Sequence, residues 1–525
     1  MLLPLTFFFC GAMLLPWPGL QNDEALFARA VYGVGGTAYH VSVLKHQIPI
    51  MFLTYLGALK SWLLWPVLMI FGSNVWSVRI PALAGGAITV WLCFLLLHRI
   101  HGRRAAWVGA ALLATDTSFV LTTCFDWGPV MLQHLLITAA LLLGVQFYRE
   151  QKNSFLAGCF FCAGLALWDK ALALWLLSGI AIALLVLFFG ELRQVFSLRR
   201  AGIAAGSLAA GAFPLLVYNL RHGFITFRSN AHLDFSEIAH KIHIMRITIN
   251  GSALFGYVVN WPSAPSPRAA ASGFALAASR IHGMFGDRLT NWMFPLWIVA
   301  GLLALWLLFT PVRRILLFAA IAFTIGWAQM VVTKAAGGSS HHTILLWPLP
   351  EIFIAVVLAE ASRRIGRAGI ALLTAAAAVL VVVNLLNLNQ YVYQFARFGA
   401  ATFWTDAMDD LPRELRATHA PSLCIIDWGL YDNLLAETRG RLPVLFAAGP
   451  FADPVITDGD RQEAIELLSK PGTLFISHTD DKQIFAGVNQ HLDQIAHDAG
   501  FHKSSVITWS DGNGRPVYEG LAYSH

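Results

Sequence analysis

Charged residues are scarce in this sequence. Of its 525 residues, 13% are Asp, Glu, Lys or Arg and 57% are apolar, whereas a soluble protein carries roughly 25% charged residues. The mean hydropathy is +0.61, and long uncharged runs extend from the first residue to about residue 390. This composition excludes a soluble globular protein and indicates a polytopic membrane protein.

Sequence features that define several common functional classes are also absent. The six cysteines lie mostly inside apolar runs, which argues against a disulfide framework or a zinc site. There is no Walker loop, no G-x-G-x-x-G after a strand, no G-x-S-x-G and no H-E-x-x-H, so nucleotide-driven transport and the common hydrolases lack support. The 36 Lys and Arg residues do not cluster with interleaved aromatic residues, so we expect no nucleic-acid partner.

Long apolar segments predict the membrane-spanning helices. A helix needs about 20 mostly apolar residues to cross the hydrocarbon layer, because each unpaired backbone group there costs several kcal/mol. A further apolar stretch, residues 47 to 71, is broken by Pro49, Lys60 and Pro66 and predicts helices along the membrane surface. About eleven segments are candidate spans: residues 1 to 20, 79 to 98, 105 to 122, 129 to 147, 154 to 169, 171 to 190, 201 to 220, 291 to 309, 314 to 333, 343 to 361 and 369 to 390.

The loops between these segments predict the orientation of the chain, since short loops rich in Lys and Arg face the cytoplasm. With eleven spans, the N-terminus is then cytoplasmic and the C-terminal part is extracytoplasmic. Two long loops, residues 21 to 78 and 221 to 290, are extracytoplasmic as well. The basic loops are residues 98 to 104, 148 to 152, 191 to 200, 311 to 314 and 362 to 367.

The sequence changes character after about residue 390. Short β-branched or apolar runs such as SLCIID and GTLFIS alternate with amphipathic segments such as DRQEAIELLSK, and DGNG at 511 to 514 predicts a turn between two strands. The predicted fold class is therefore an α-helical polytopic membrane protein over residues 1–390, with about 11 transmembrane helices, followed by a soluble α/β domain over residues 391–525.

Acidic residues at the outer ends of the predicted helices are the first candidates for chemistry, because carboxylates near a membrane core are costly. Asp23 and Glu24 directly follow the first segment, where they could also simply favour the start of a surface helix. Asp126 stands in the turn before Pro129 and could alternatively cap the next helix. Both acidic sites fall on the same face of the membrane by the predicted topology, which favours a functional role.

Further polar groups lie on or near this face. Asp169 and Lys170 end the segment 154 to 169, where they could neutralise each other or serve the function. Asp116 lies deeper and could be a ligand or a polar contact between helices. The groups that can carry positive charge or bind a metal here are Lys45, His46, His341 and His342.

Several short motifs follow one another along residues 1 to 360. They are the acidic pair Asp23-Glu24, LKHQIPI in the first outer loop, the Arg-x-Pro helix start in VWSVRIPALAGG, the exofacial CFDWGP, LALWDKA and the late GGSSHHTILLWPLP. In this order they resemble the GT-C superfamily of polytopic glycosyltransferases, and within it glycosyltransferase family 39, which includes protein O-mannosyltransferases and lipid A aminoarabinose transferases. The usual H-P-P-L element of that family is replaced by HQIPI at 46 to 50, and the tail domain matches nothing in it.

The resemblance implies a GT-C-like fold and a membrane glycosyltransferase. Its donor would be a sugar on a polyprenyl phosphate, and transfer to an acceptor on the extracytoplasmic face would proceed with inversion. It implies Asp23 as the base for the acceptor hydroxyl, with Asp126 and Glu24 as partners that position the acceptor. A divalent metal ion held by Asp23 and Asp126 is left open, and no other cofactor is expected. The groups expected near the lipid phosphate are Lys45, His46, Arg79, Lys170, His341 and His342.

The implied location is the bacterial inner membrane, and membrane lipids are expected partners. The acceptor is left open among protein, lipid and glycan. The main alternative function is a flippase or transporter of polyprenyl-linked saccharides, although the sequence has no internal repeat of the kind common in transporters. A membrane-anchored binding protein, in which the tail domain does the work, would leave the outer carboxylates without a purpose.

Overall fold

The computed structural model describes residues 2–43, 46–262, 267–269, 273–334, 336–453 and 455–525. Lys45, one of the expected phosphate ligands, lies outside the described residues. His46 is described only as the first residue of a strand, and its side chain is not among the described groups. The described chain is mostly helical, with two small sheets.

Apolar helices make up most of residues 2–398. Many of them expose Leu, Ile, Phe and Trp side chains on their outer surfaces, as expected for helices solvated by lipid. All six cysteines are unpaired, in agreement with the sequence prediction. The helices are α1 (Leu2–Ala12), α2 (Asn22–Val31), α3 (Leu59–Phe71), α4 (Val75–Ile100), α5 (Arg103–Thr115), α6 (Thr117–Cys124), α7 (Met131–Glu150), α8 (Asn153–Asp169), α9 (Ala173–Val195), α10 (Leu198–Gly211), α11 (Phe213–Arg221), α12 (Ile225–Asn230), α13 (Ile238–Ile249), α14 (Gly273–Phe285), α15 (Met293–Leu307), α16 (Arg313–Val331), α17 (Ser340–Thr343), α18 (Leu349–Arg364) and α19 (Arg367–Phe398).

The predicted spans coincide with these helices. Within the described chain, five helices are long and apolar enough to cross a membrane, namely α4, α7, α9, α16 and α19. The number rises to eight if each of three bent pairs is one span: α5 with α6, α10 with α11, and α17 with α18. The remaining predicted segments contain the shorter apolar helices α1, α8 and α15. Each of the eleven predicted segments thus contains a helix, but α1, α8 and α15 fall short of the length expected for a single straight span, and α1 ends at Ala12 within the segment 1 to 20.

The first outer loop differs from its prediction. Residues 47 to 71 are predicted to form surface helices, but their first half belongs to the strand β2 (His46–Leu53), which pairs with β1 (Tyr39–Val43) and β3 (Leu56–Gly57) in an antiparallel sheet. Only the second half is helical, as α3. The apolar, β-branched character of IPIMFL favours an extended strand, and Pro49 is unfavourable inside a helix.

The C-terminal domain is an α/β domain, as predicted. α19 continues past the predicted boundary at 390 to Phe398, and a five-stranded sheet of order β5-β4-β6-β8-β7 follows. Its β4, β5 and β6 are parallel, while β8 pairs antiparallel with β6 and β7. The predicted DGNG turn joins β7 to β8. The elements are α20 (Ala407–Ala417), β4 (Ser422–Ile425), α21 (Tyr431–Thr438), β5 (Val444–Phe446), α22 (Gly449–Ala452), α23 (Asp458–Leu468), β6 (Thr473–His478), α24 (Val488–Asp498), β7 (His502–Ser510) and β8 (Pro516–Ser524).

Candidate active site

Asp23 lies in the first turn of α2, just after the chain leaves the bundle. Gln21 caps this helix: its side chain accepts a hydrogen bond from the Asp23 N–H at 2.6 Å, and the Glu24 carboxylate accepts one from the Gln21 N–H at 3.1 Å. This reciprocal capping box fixes where α2 begins. The Asp23 side chain is half-buried. Within the described chain it forms no close ion pair, and the charges of Lys170 and Lys60 act on it through space.

Glu24 and Arg79 pair with each other. The Arg79 guanidinium of α4 donates two hydrogen bonds of 2.7 Å to the two Glu24 oxygens, and both side chains are fully buried. Its other donors reach the carbonyl oxygens of Pro18 and Gly19 at 2.8 and 2.7 Å. Because the donors of Arg79 are committed in this way, the structure argues against its predicted contact with a lipid phosphate. The Glu24 oxygens are likewise occupied by Arg79 and the Gln21 N–H, and the pair anchors the turn that carries Asp23.

Asp126 forms a buried ion pair with Lys60. Its Oδ2 lies 2.7 Å from the Lys60 Nζ of α3, and both side chains are 1% exposed. Its Oδ1 accepts hydrogen bonds of 2.9 Å from the backbone N–H groups of Val130 and Met131, at the start of α7. Asp126 therefore caps the start of α7, the alternative role that its position before Pro129 indicates. It also pairs with the ammonium group of Lys60. Lys60 was not among the predicted site residues, because inside an apolar stretch it was interpreted only as a break.

Lys170 follows the last residue of α8 and points back toward the Asp126 turn, where its Nζ donates to the Gly128 carbonyl oxygen. Leu56 pairs with Lys170 in an isolated antiparallel bridge, and the Ala171 N–H donates to the Tyr55 carbonyl oxygen at 2.9 Å. These bonds tie the first outer loop to the end of α8. Asp169 accepts a 2.9 Å hydrogen bond from Gln133 and forms no close ion pair with Lys170 within the described chain, although the two charges attract each other.

Asp23, Lys60 and Lys170 form the charged centre of the site. Burial raises the pKa of Asp23 to about 6, while the charges of Lys170 and Lys60 oppose this rise. Burial also lowers the pKa of Lys170 to about 8, although the carboxylates of Asp23, Asp169 and Asp126 act in the other direction. Asp23 and Asp126 thus interact electrostatically with the same two lysines, which supports the prediction that they share one site.

The two predicted histidines lie beside this centre. The His341 ring centroid is 4.3 Å from that of Trp127, next to Asp126, and its Nδ1 lies 2.7 Å from the Ser339 Oγ. The rings of His341 and His342 are 4.2 Å apart, and both are close enough to Lys170 to interact with its charge. The histidines therefore form a wall of the site, and their predicted contact with phosphate remains a prediction.

The predicted metal ligands do not fit a metal ion well. One oxygen of Asp126 already accepts two N–H groups and the other faces an ammonium group. Within the described residues, no group of three or more His, Cys, Asp or Glu side chains is placed to hold a metal ion. Two lysines instead supply the positive charge around Asp23 and Asp126.

Asp116 and Glu351 lie at the breaks of two bent spans. Asp116 caps α6 at the 57° bend after α5, where it accepts a 2.7 Å hydrogen bond from the Phe119 N–H. Glu351 lies in the first turn of α18, after a 46° bend, and is 0% exposed. The Glu351 carboxyl lies beside the Trp347 side chain with no cation at ion-pair distance within the described chain, and the charges of Glu351 and Asp116 act on each other. Asp116 is therefore a polar contact between helices, away from the two lysines.

We expect the substitution Glu351→Gln to leave the folded protein as stable as the wild type or slightly more stable. A carboxyl group without a cationic partner is costly to ionise in an apolar interior, whereas an isosteric amide carries no charge at any pH and can keep the polar contact with Trp347. Thermal unfolding of the purified protein in detergent would measure the effect. A loss of more than about 2 kcal/mol, on the scale of breaking a buried ion pair, would mean that Glu351 has a stabilising cationic partner.

Two comparisons with known proteins bear on this arrangement. Residues 57–218, less than half of the chain, match the model of the dolichyl-phosphate-mannose-protein mannosyltransferase family. The fold is similar to the crystal structure of ArnT from Cupriavidus metallidurans bound to undecaprenyl phosphate, with a TM-score of 0.58, 14% identity, and coverage of 99% of this chain and 96% of that chain. For the apo state of the same protein, the TM-score is 0.54 at 12% identity, with coverage of 98% and 96%. No curated protein sequence matches the chain significantly.

The apolar helices and the fold define an integral membrane protein with the GT-C architecture and a C-terminal sheet-containing domain. The resemblance predicted from the sequence is confirmed at this level: the family match and the shared fold support a glycosyltransferase of the GT-C superfamily. At 14% identity the likeness to the solved structure establishes the fold, and the matched segment contains Lys60, Arg79, Asp126 and Lys170.

Proposed function

We propose that this protein transfers a sugar from a polyprenyl-phosphate donor to an acceptor hydroxyl on the extracytoplasmic face of a bacterial inner membrane. The observation that supports the proposal is that Asp23, a carboxylate outside any close ion pair in the described chain, interacts electrostatically with the two buried lysines Lys60 and Lys170. A base facing two cations is what transfer from a phosphate leaving group requires.

The proposed binding surface for the donor lipid is the exposed face of α3. This helix buries Lys60 but exposes the apolar side chains of Trp62, Leu63, Trp65 and Ile70. In this proposal the isoprenoid chain lies along that face and its phosphate approaches the end of α3 that carries Lys60, where the buried charges of Lys60 and Lys170 act on it through space. Undecaprenyl phosphate in the ArnT crystal structure is a ligand of this chemical kind, which supports a polyprenyl phosphate as the donor lipid here.

In the proposed reaction, Asp23 takes the proton of the acceptor hydroxyl as the acceptor oxygen attacks the anomeric carbon of the sugar. The new C–O bond forms while the bond from the anomeric carbon to the phosphate oxygen breaks, and the electron pair leaves with the polyprenyl phosphate. Lys60 and Lys170 stabilise the negative charge that develops on the phosphate. A single displacement inverts the anomeric configuration. No step passes through a metal ion, because the Asp126 oxygens are already committed.

The proposed orientation follows the basic loops, which place the N-terminus in the cytoplasm and the tail domain outside. Incubation of purified protein with a synthetic polyprenyl-phosphate sugar and peptide, glycan or lipid acceptors would test the function. We expect a glycosylated product from at least one acceptor class, with inverted configuration. Flux of the lipid-linked sugar across liposomes without any product would instead identify a flippase.

We expect kcat/KM for transfer to fall about tenfold per pH unit below about pH 6. The base must be deprotonated, and burial raises the pKa of Asp23 to about 6, so acid protonates it within the physiological range. Above about pH 8 we expect a second decline, since Lys170 then loses its proton. A pH–rate profile measures both limbs. An acid limb near pH 4, close to the ordinary value for Asp, would contradict the assignment of Asp23.

A further inference from the structure

The tail domain contacts the helix that carries Asp23. Helix α21 packs against α2, and the side chains of Asp432 and Asn433 in the first turn of α21 contact α2 or the residue before its N-cap. The Asn433 Nδ2 donates to the Leu20 carbonyl oxygen, next to the N-cap of α2, and the Asp432 carboxylate binds the Arg29 Nε in the last turn of α2. Two consecutive residues of the tail domain therefore hold α2 near both of its ends.

Arg29 extends this connection beyond the helix. It is 5% exposed, and its remaining donors reach the carbonyl oxygens of Val34 and Gly36 at 2.8 and 2.9 Å. The chain wraps so closely here that a Cβ at Gly35 would lie 2.1 Å from the Arg29 Nη1. The Arg29 guanidinium thus connects the end of α2 to the turn that follows and to the tail domain. Because its donors are held in one rigid plane, these hydrogen bonds fix the relative geometry of the three parts.

Asp432 also lies close to the reacting end of α2. It accepts a hydrogen bond from the Asn22 side chain, directly before Asp23, and its negative charge acts on Asp23. The other charged or titratable groups that face Asp23 come from several elements: Glu24 of α2, Lys60 of α3, Lys170 after α8, Tyr55 of the first outer loop and Tyr257 of the second. Asp432 is the contribution of the tail domain to this set.

We propose that Asp432 is a positioning residue for sugar transfer, which holds α2 through Arg29 and Asn22 so that Asp23 faces the two lysines. The inference rests on the proposed function. Under this proposal the tail domain is part of the catalytic unit. The orientation of α2, which carries Asp23, depends on Asp432, a residue more than 400 positions after Arg29 in the sequence.

The test compares Asp432→Asn and Asp432→Glu with the wild type, and uses Asp458→Asn, an exposed acidic position of the same domain, as the matched control. We expect Asp432→Asn to lower kcat about tenfold with the donor KM unchanged. The acid limb of its pH–rate profile should move to lower pH, because one negative charge that favours protonation of Asp23 is removed. Asp432→Glu should restore most of the activity. An unchanged kcat and acid limb in Asp432→Asn would overturn the inference.

A second measurement does not depend on turnover. Hydrogen–deuterium exchange of the backbone amides in residues 20–31 should increase several-fold in Asp432→Asn and stay at the wild-type level in Asp458→Asn. Unchanged exchange would overturn the inference even if the wild-type protein transferred no sugar, a result that would count separately against the proposed function.

Discussion

The substitution Asp23→Asn should lower sugar transfer by about 100- to 10,000-fold, the range that a general base contributes. The asparagine side chain has nearly the same size and can accept hydrogen bonds, but it cannot take the proton of the acceptor hydroxyl. Because the Asp23 carboxylate makes no close ion pair with other described groups, its loss should leave folding intact. The measurement is kcat for transfer from a synthetic polyprenyl-phosphate sugar.

Two controls distinguish loss of the base from loss of structure. The apparent melting temperature of Asp23→Asn should equal that of the wild type, and Asp458→Asn, which changes an exposed carboxylate of the tail domain, should keep full activity. Binding of free polyprenyl phosphate should also persist in Asp23→Asn, since both lysines remain. Near-normal turnover by Asp23→Asn would remove this residue from the mechanism.

The substitution Lys60→Met should lower transfer by about 100-fold or more, the loss expected when a group that stabilises transition-state charge is removed. Lys60 also neutralises the buried Asp126 at 2.7 Å, so its removal leaves an unpaired charge and should cost about 3–5 kcal/mol of stability. Activity and thermal unfolding, measured on the same preparations, report the two effects. Lys470→Met, at an exposed position of the tail domain, is the matched control.

The double substitution Lys60→Met with Asp126→Asn separates these two effects. It removes both charges, so we expect most of the lost stability to return. The cation that faces the donor phosphate is still missing, so transfer and polyprenyl phosphate affinity should stay low. If the double variant regained normal transfer, Lys60 would serve only to neutralise Asp126.

Hydropathy alone could predict the membrane part of the fold, because lipid requires each span to be apolar over its length. The prediction was wrong for the stretch before Lys60, which contains the strand β2: a short apolar run is compatible with a helix or a strand, and pairing with β1 decides for the strand. The bends within three candidate spans were also not predicted, since average hydropathy is insensitive to the direction of the helix axis.

The candidate site likewise contains residues that the sequence could predict and residues that it could not. Asp23 and Asp126 could be found because carboxylates at the outer helix ends stand out against an apolar sequence. Their partners could not be found in this way: Lys60 is 66 residues from Asp126 and Arg79 is 55 residues from Glu24 in the sequence. Such pairs form only when α3 packs beside the turn before α7 and α4 packs beside the start of α2. The contact between Asp432 and Arg29 could not be predicted from local sequence patterns either, because its two residues belong to different domains.

The most direct test of the central claim is the release of free polyprenyl phosphate from a synthetic polyprenyl-phosphate sugar by the purified protein, with the wild type and Asp23→Asn compared in the presence of an acceptor. We predict that the wild-type protein releases one polyprenyl phosphate for each sugar transferred and that Asp23→Asn releases almost none. Equal release by the two proteins, or sugar transfer without release of polyprenyl phosphate, would contradict the account.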